Sequence, residues 1–130
     1  MDTVKEASLL RIFISSTDKL KHAPLYEVIV FAAKRNGLAG ATVLKGVMGF
    51  GASSVIYSLK FWEIQEKVPV VIEIVDSTEK IEAFVEIIRP YFDIVKNGCF
   101  ITLEKATVVL YKKGHKSFDN SWHLFDDKAK

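Results

Sequence analysis

Cysteine is almost missing from this chain: Cys99 is the single one among 130 residues. A lone thiol forms no internal disulfide, so the fold must rest on its core, and the expected setting is a reducing cytoplasm. A dominant charge is missing too. Eighteen basic residues face 16 acidic ones, for a net charge of +2. The stretch from Lys112 to Lys130 holds five lysines and three aspartates and carries that whole excess. No basic run stands out as a track for nucleic acid, so no nucleic-acid partner is expected. No apolar run approaches the roughly 18–20 residues that span a bilayer, so no membrane insertion is expected. The polar start Met1–Glu6 also lacks the apolar run of a signal peptide. His22, His115 and His123 share no metal-ligand spacing, so no metal site is expected.

Hydrophobic residues are plentiful, at 49% of the chain. That share suits a packed core, and the length suits one domain over residues 1–130. The core is expected over about residues 8–113, with a C-terminal tail over 114–130. The tail contains Phe118, Trp122, Leu124 and Phe125.

Leu9 to Ile14 reads as a first strand that ends in the polar turn Ser15-Ser16-Thr17-Asp18. A helix is expected from Pro24 to Asn36. Leu25, Val28, Ile29, Ala32 and Ala33 share one of its faces, and Asn36-Gly37 forms its stop. Ala41 to Met48 reads as a second strand, followed by a small, flexible segment from Gly49 to Ser54. Pro69 to Val75 is the clearest strand, β-branched almost throughout, with the proline confined to its start. Asp76 and Glu79 have capping-box spacing, with Ser77 a rival cap. Ile81, Phe84, Val85 and Ile88 continue a second helical face, which Pro90 should kink or end. After a turn at Asn97-Gly98, Cys99 to Leu103 reads as a strand, and Ala106 to Tyr111 as another or its continuation.

The order β-α-β-β-α-β is that of an α+β, ferredoxin-like sandwich: an antiparallel sheet with two helices on one face. Alternation then divides each strand. Leu10, Ile12, Ile14 and Val70, Ile72, Ile74 take one side. Leu9, Arg11, Phe13 and Val71, Glu73, Val75 take the other. The side away from the helices stays substantially apolar, which marks an interface. An oligomer packed sheet against sheet is therefore expected, with Arg11 and Glu73 able to pair.

Three segments carry a resemblance. They are Leu38-Ala39-Gly40-Ala41-Thr42-Val43, Gly46-Val47-Met48-Gly49-Phe50-Gly51-Ala52-Ser53-Ser54 and Pro69-Val70-Val71-Ile72-Glu73-Ile74-Val75-Asp76. Together they resemble the PII-like family catalogued as domain of unknown function 190, over about residues 8 to 113. The resemblance implies a homotrimer with sheets inward and helices outward. It also implies a regulatory rather than catalytic role. A small anionic ligand, commonly an adenine nucleotide in PII proteins, would bind between subunits at the base of a mobile loop. The matching loop is about Gly49 to Lys67, and it would contact a partner protein such as a transporter or an enzyme. The segment Ile94-Val95-Lys96-Asn97-Gly98-Cys99 keeps one lysine and one glycine where PII proteins are rich in both. Tyr57 lies in the loop without the familiar modification-site surroundings.

The candidate ligand-binding residues are Gly49, Phe50, Gly51, Ala52, Ser53, Ser54, Lys96 and Lys112, with Lys113 beside the last. Glycines permit close backbone approach, successive N–H groups and serine hydroxyls donate to an anion, and lysines supply point charges. Tyr57 and Trp62 are the candidate partner-binding residues of the loop. No catalytic residue is assigned. Cys99 is expected to be an inert side chain in a buried strand, Asp76 and Glu79 capping groups, and Glu73 half of an ion pair. Two alternatives compete: an enzyme with its site at the subunit interface, and a metal-responsive trimer related to divalent-cation tolerance proteins.

Overall fold

The computed structural model describes residues 6–52, 57–58 and 67–114, at 57–58 the backbone alone. The elements, in chain order, are β1 (Ala7–Ser15), β2 (Lys19–Leu20), β3 (Ala23–Pro24), α1 (Leu25–Arg35), β4 (Thr42–Lys45), β5 (Met48–Gly49), β6 (Tyr57–Ser58), β7 (Pro69–Ser77), α2 (Thr78–Ile94) and β8 (Phe100–Ala106). The main sheet runs β4-β7-β1-β8, antiparallel throughout. The expected α+β, ferredoxin-like sandwich is present, joined by two short hairpins, β2–β3 and β5–β6.

The alternation read from the sequence decides which side is buried. Leu10, Ile12, Ile14, Val70, Ile72 and Ile74 point into one cluster with Leu25, Ile29 and Ala32 of α1 and Ile81, Phe84 and Ile88 of α2. Phe84 is fully buried at its centre. Such a side chain contributes about 1.5–3 kcal/mol by leaving water. Among the described residues no helix covers the opposite face of the sheet. There Leu44, Val75 and Phe100 remain exposed, and Arg11 meets Glu73 across β1 and β7.

Helix α1 has Pro24 as its N-cap rather than inside its first turn. At its far end Asn36 donates from Nδ2 to the Ala32 carbonyl at 2.7 Å, and Gly37 takes φ +75°. That left-handed turn lets the Gly37 and Leu38 N–H groups reach back to Lys34 and Ala33.

Several expectations are corrected. Helix α2 does not end at Pro90 but continues to Ile94. Pro90 lies on the exposed side, so the one carbonyl deprived of a partner, that of Glu86, can meet water. Tyr91, Phe92 and Val95 pack against the core and hold the last turn. Asp76 does not cap α2. Ser77 does, its Oγ accepting from the Lys80 N–H at 3.3 Å, while Asp76 accepts from the Ala39 N–H at 2.9 Å and ties down the α1–β4 connection. Glu79 stays in the first turn, where a carboxylate suits the helix dipole.

The second strand also divides. β4 stops at Lys45, and Gly46 closes the ladder by donating to the Pro69 carbonyl at 2.8 Å. Met48 and Gly49 pair instead with Ser58 and Tyr57. The Pro69 ring explains the glycines here: a Cβ on Gly46 or Gly49 would lie 3.3 or 3.2 Å from its Cγ. Cys99 is half-buried and sits just ahead of β8, because pairing with β1 begins at Phe100 opposite Phe13. Residues 107–111 form no strand. The last pair is Ala106 with Ala7, the first residue of β1, so among the described strands none continues alongside the chain beyond.

Candidate ligand-binding site

Two clefts lie at opposite ends of the main sheet. The first, about 440 Å³, opens where β1 ends and β7 begins. Phe13, Phe50 and Phe100 line it, together with Gly51, Ala52 and Pro69. Phe13 and Phe100 are register partners whose rings stand 5.8 Å apart and tilted by 45°. Phe50 enters because the chain leaving β5 passes over this end of the sheet through Gly51 and Ala52. Ser15, Asn97 and Gly98 form the polar rim.

That rim is fixed from beneath by a buried carboxylate. Asp18 accepts from the Ser15 N–H at 2.9 Å and from Asn97 Nδ2 at 2.6 Å. The Asp18 carbonyl accepts from the Leu25 N–H at 2.7 Å, which sets the entry to α1. One side chain therefore joins the β1–α1 turn to the α2–β8 turn. Cys99 is close enough to feel it: burial pushes its thiol pKa up, and the Asp18 charge pushes the same way. The result is a thiol held protonated, an unreactive form consistent with the inert role expected of it.

The second cleft, about 930 Å³, lies beyond the other end of β7. Among the described residues Lys80, Lys112 and Lys113 line it with a single carboxylate, Asp76, so that part of the wall is positive. Gly37 and Tyr111 complete the wall, and Lys80 Nζ donates to the Gly37 carbonyl at 3.4 Å. Tyr111 also borders Gly40, Ala41 and Thr42. Along β1 the two ends are marked by Phe13 and Ala7, so the clefts are separated by about 20 Å of strand.

The candidate residues are thus divided. Phe50, Gly51 and Ala52 line the aromatic cleft, and Lys112 lines the cationic one, with Lys113. Gly49 is spent on the Pro69 contact and the hairpin. Lys96 is exposed and lines neither cleft. Tyr57 is described by its backbone, paired to Gly49. Ser53, Ser54 and Trp62 lie outside the described residues, as do His115 and His123. Sequence reasoning missed the Asp18–Asn97 bond and the place of Lys80 in the cationic cleft. The polar run ending in Asp18 was the one available signal for the first. Among the described residues no three His, Cys, Asp or Glu side chains gather to hold a metal, and no helix is long and apolar enough to cross a membrane.

Comparison with known proteins follows the same outline. A UPF0166 protein of Aquifex aeolicus is 37% identical over 106 residues, covering 82% of this chain and 96% of that protein. A UPF0166 protein of Methanocaldococcus jannaschii is 31% identical, covering 79% and 92%. Among solved structures, a Thermus thermophilus protein described as PII-like signaling aligns with TM-score 0.59 at 21% identity, covering 84% of this chain and 94% of that one. CPII from Thiomonas intermedia, a nitrogen regulatory PII-like protein bound to ADP, AMP and bicarbonate, aligns with TM-score 0.56 at 16% identity, covering 79% and 90%. The model of the DUF190 family, described as "Uncharacterized ACR", matches residues 7–108. With its PII-like fold and that match over most of its length, the chain belongs to the DUF190 family.

Proposed function

We propose that this chain is the subunit of a PII-like regulatory homotrimer that binds a small anionic ligand between subunits, an adenine nucleotide being the first candidate. The observation that carries the reading is the pair of clefts. One is aromatic and apolar, of a size for a nucleobase and sugar. The other is rich in lysine, as phosphate recognition requires. They sit at opposite ends of one subunit, so a single chain cannot apply both to one ligand. A cyclic assembly joins unlike patches of neighbouring copies, and in it the aromatic cleft of one subunit meets the cationic cleft of the next. The ADP and AMP bound to CPII support this ligand class.

The ligand orders the Gly49–Lys67 loop through Phe50, and the loop, with Tyr57 and Trp62, contacts a partner protein. The ligand must favour one loop state over the other for this to signal. The chain acts by binding rather than by catalysis.

The test is a thermal-shift and calorimetric titration of the full chain with ADP, AMP and bicarbonate. A ligand of the folded state raises its melting temperature in a saturable way. Phe50→Ala and Lys112→Ala/Lys113→Ala should each abolish the response. A co-refolded equal mixture of the two variants should regain about a quarter of the sites, because some interfaces then combine two intact halves. A mixture no better than either variant alone defeats the shared site, and no shift with any of the three probes removes the nucleotide reading.

A further inference from the structure

Two hydrogen bonds beneath the aromatic cleft fix the orientation of a side chain at its mouth. Asp18 is 2% exposed, and its two carboxylate oxygens serve different partners. Oδ2 accepts from the buried Ser15 N–H at 2.9 Å, and Oδ1 accepts from Asn97 Nδ2 at 2.6 Å. A carboxylate accepts and does not donate, so the Asn97 amide must turn its NH2 group toward Asp18. The flipped amide would set one oxygen against another at that distance. The amide is planar, and its carbonyl oxygen lies on the other arm, away from Asp18. Asn97 is exposed and lines the cleft, so that oxygen faces the cleft. With the second amide proton it presents an acceptor beside a donor.

The surroundings decide what this amide can read. Phe13, Phe50 and Phe100 offer apolar faces to a flat ring. Among the described lining residues none is a lysine or arginine, and the Asp18 carboxylate lies below the rim. A phosphate is disfavoured beside that charge, and the heterocycle is the part of a nucleotide that fits. A purine with a 6-amino group shows a donor beside the ring acceptor N1, the complement of the amide. A 6-oxo purine shows the reverse, an acceptor beside an N1–H, and meets like with like.

We propose that Asn97 is the base-reading residue of the aromatic cleft, and that Asp18 is the positioning residue that sets its amide to accept a purine 6-amino group and reject a 6-oxo group. The inference rests on the nucleotide reading above and names the atoms that choose among nucleotides. It also carries an inversion. In Asp18→Asn the buried Ser15 N–H still needs an acceptor, so the new side-chain oxygen stays with Ser15 and the new NH2 lies opposite Asn97. Asn97 must then turn its own oxygen to that NH2 and its own NH2 to the cleft. The preference passes to the 6-oxo purine with almost no change in side-chain size.

The experiment is calorimetric titration of the full chain with ADP and with inosine 5′-diphosphate, which carries a 6-oxo group in place of the 6-amino group. The wild type should bind ADP more tightly by roughly tenfold to a hundredfold. Asn97→Ala should weaken ADP binding and bring the two ligands within about threefold of each other. Asp18→Asn should favour the inosine nucleotide. A wild type that binds neither ligand overturns the nucleotide reading together with this one. A wild type that binds both equally, or the inosine nucleotide better, overturns this inference alone. An Asn97→Ala chain that keeps the wild-type preference overturns the reading role of Asn97. A folded Asp18→Asn chain that still prefers ADP overturns the positioning role of Asp18. Should Asp18→Asn fail to fold, nuclear magnetic resonance of the wild-type Asn97 side-chain amide decides that role: one proton shifted downfield by the carboxylate supports it, and two unshifted protons overturn it.

Discussion

Replacing Asp18 by alanine removes the acceptor of two hydrogen bonds that join distant turns. The Ser15 N–H, 2.9 Å from one carboxylate oxygen, is buried and has no water to turn to. Asn97, 2.6 Å from the other oxygen, lies at the surface and can be rehydrated. A hydrogen bond to a charged group contributes about 1.5–3 kcal/mol, and a buried donor left unpaired costs about 1–3 kcal/mol. The two losses overlap, so Asp18→Ala should cost about 3–4 kcal/mol, a large share of the roughly 5–15 kcal/mol that stabilises a domain. Asn97→Ala removes one bond to the buried carboxylate but strands no buried N–H, and should cost about 1.5–2 kcal/mol. Urea unfolding at fixed protein concentration measures both. With a slope of about 2 kcal/mol per molar, the Asp18→Ala midpoint should fall by about 1.5–2 M. An Asp18→Ala loss below about 0.5 kcal/mol, or one no larger than that of Asn97→Ala, would refute the assignment of Asp18 as the joint between the two turns.

Two further tests follow from local geometry. Gly37→Ala meets no atom within 4 Å, so its cost comes from the backbone at φ +75° alone; the loss should be about 1 kcal/mol, read as a melting temperature lower by about 4 °C. The raised thiol pKa of Cys99 predicts slow alkylation by iodoacetamide at neutral pH, faster in Asp18→Asn, where the charge behind it is gone. Because the folded-state pKa lies above the ordinary 9.0, this group's contribution to stability is complete below that pH and is lost as the pH rises through the raised value. A pH titration of stability showing no difference between Cys99→Ser and wild type above pH 9 contradicts it.

Much of the fold was legible because alternation is a strong signal on a sheet buried on one side. Leu10, Ile12 and Ile14 could be set against Leu9, Arg11 and Phe13 with no knowledge of their partners, and the Arg11–Glu73 pair followed from matching parities. What misled was the local rule with a tertiary exception. Pro90 forbids one hydrogen bond, yet Tyr91 and Phe92 pack well enough to carry the helix past it. Thr107 to Tyr111 has the composition of a strand, but strands need neighbours, and β1 has already run out. Asp76 and Ser77 compete for one cap, and their spacing could not say that the Ala39 N–H needed a carboxylate. The candidate site was legible as residue types and not as a place. Gly-Phe-Gly announced a loop over a cleft, and Lys112 announced a cation, but their separation by the length of β1 is a property of the sheet. The Asp18–Asn97 contact spans 79 positions, and the polar run ending in Asp18 names one of its partners but not the other.

The position of β1 has a consequence for how the chain is made. The first strand to be synthesised lies in the interior of the sheet, and the partners of Arg11 stand 62 and 93 residues further along. Neither flank of β1 can be satisfied by the segments made soon after it. Its β-branched and leucine-rich edge must wait, unpaired and prone to stick, until β7 and then β8 arrive. Closing loops of that length before any reward is collected makes for slow folding, in the range of milliseconds to seconds. Arrival of β8, rather than formation of α1, therefore completes the pairing of β1.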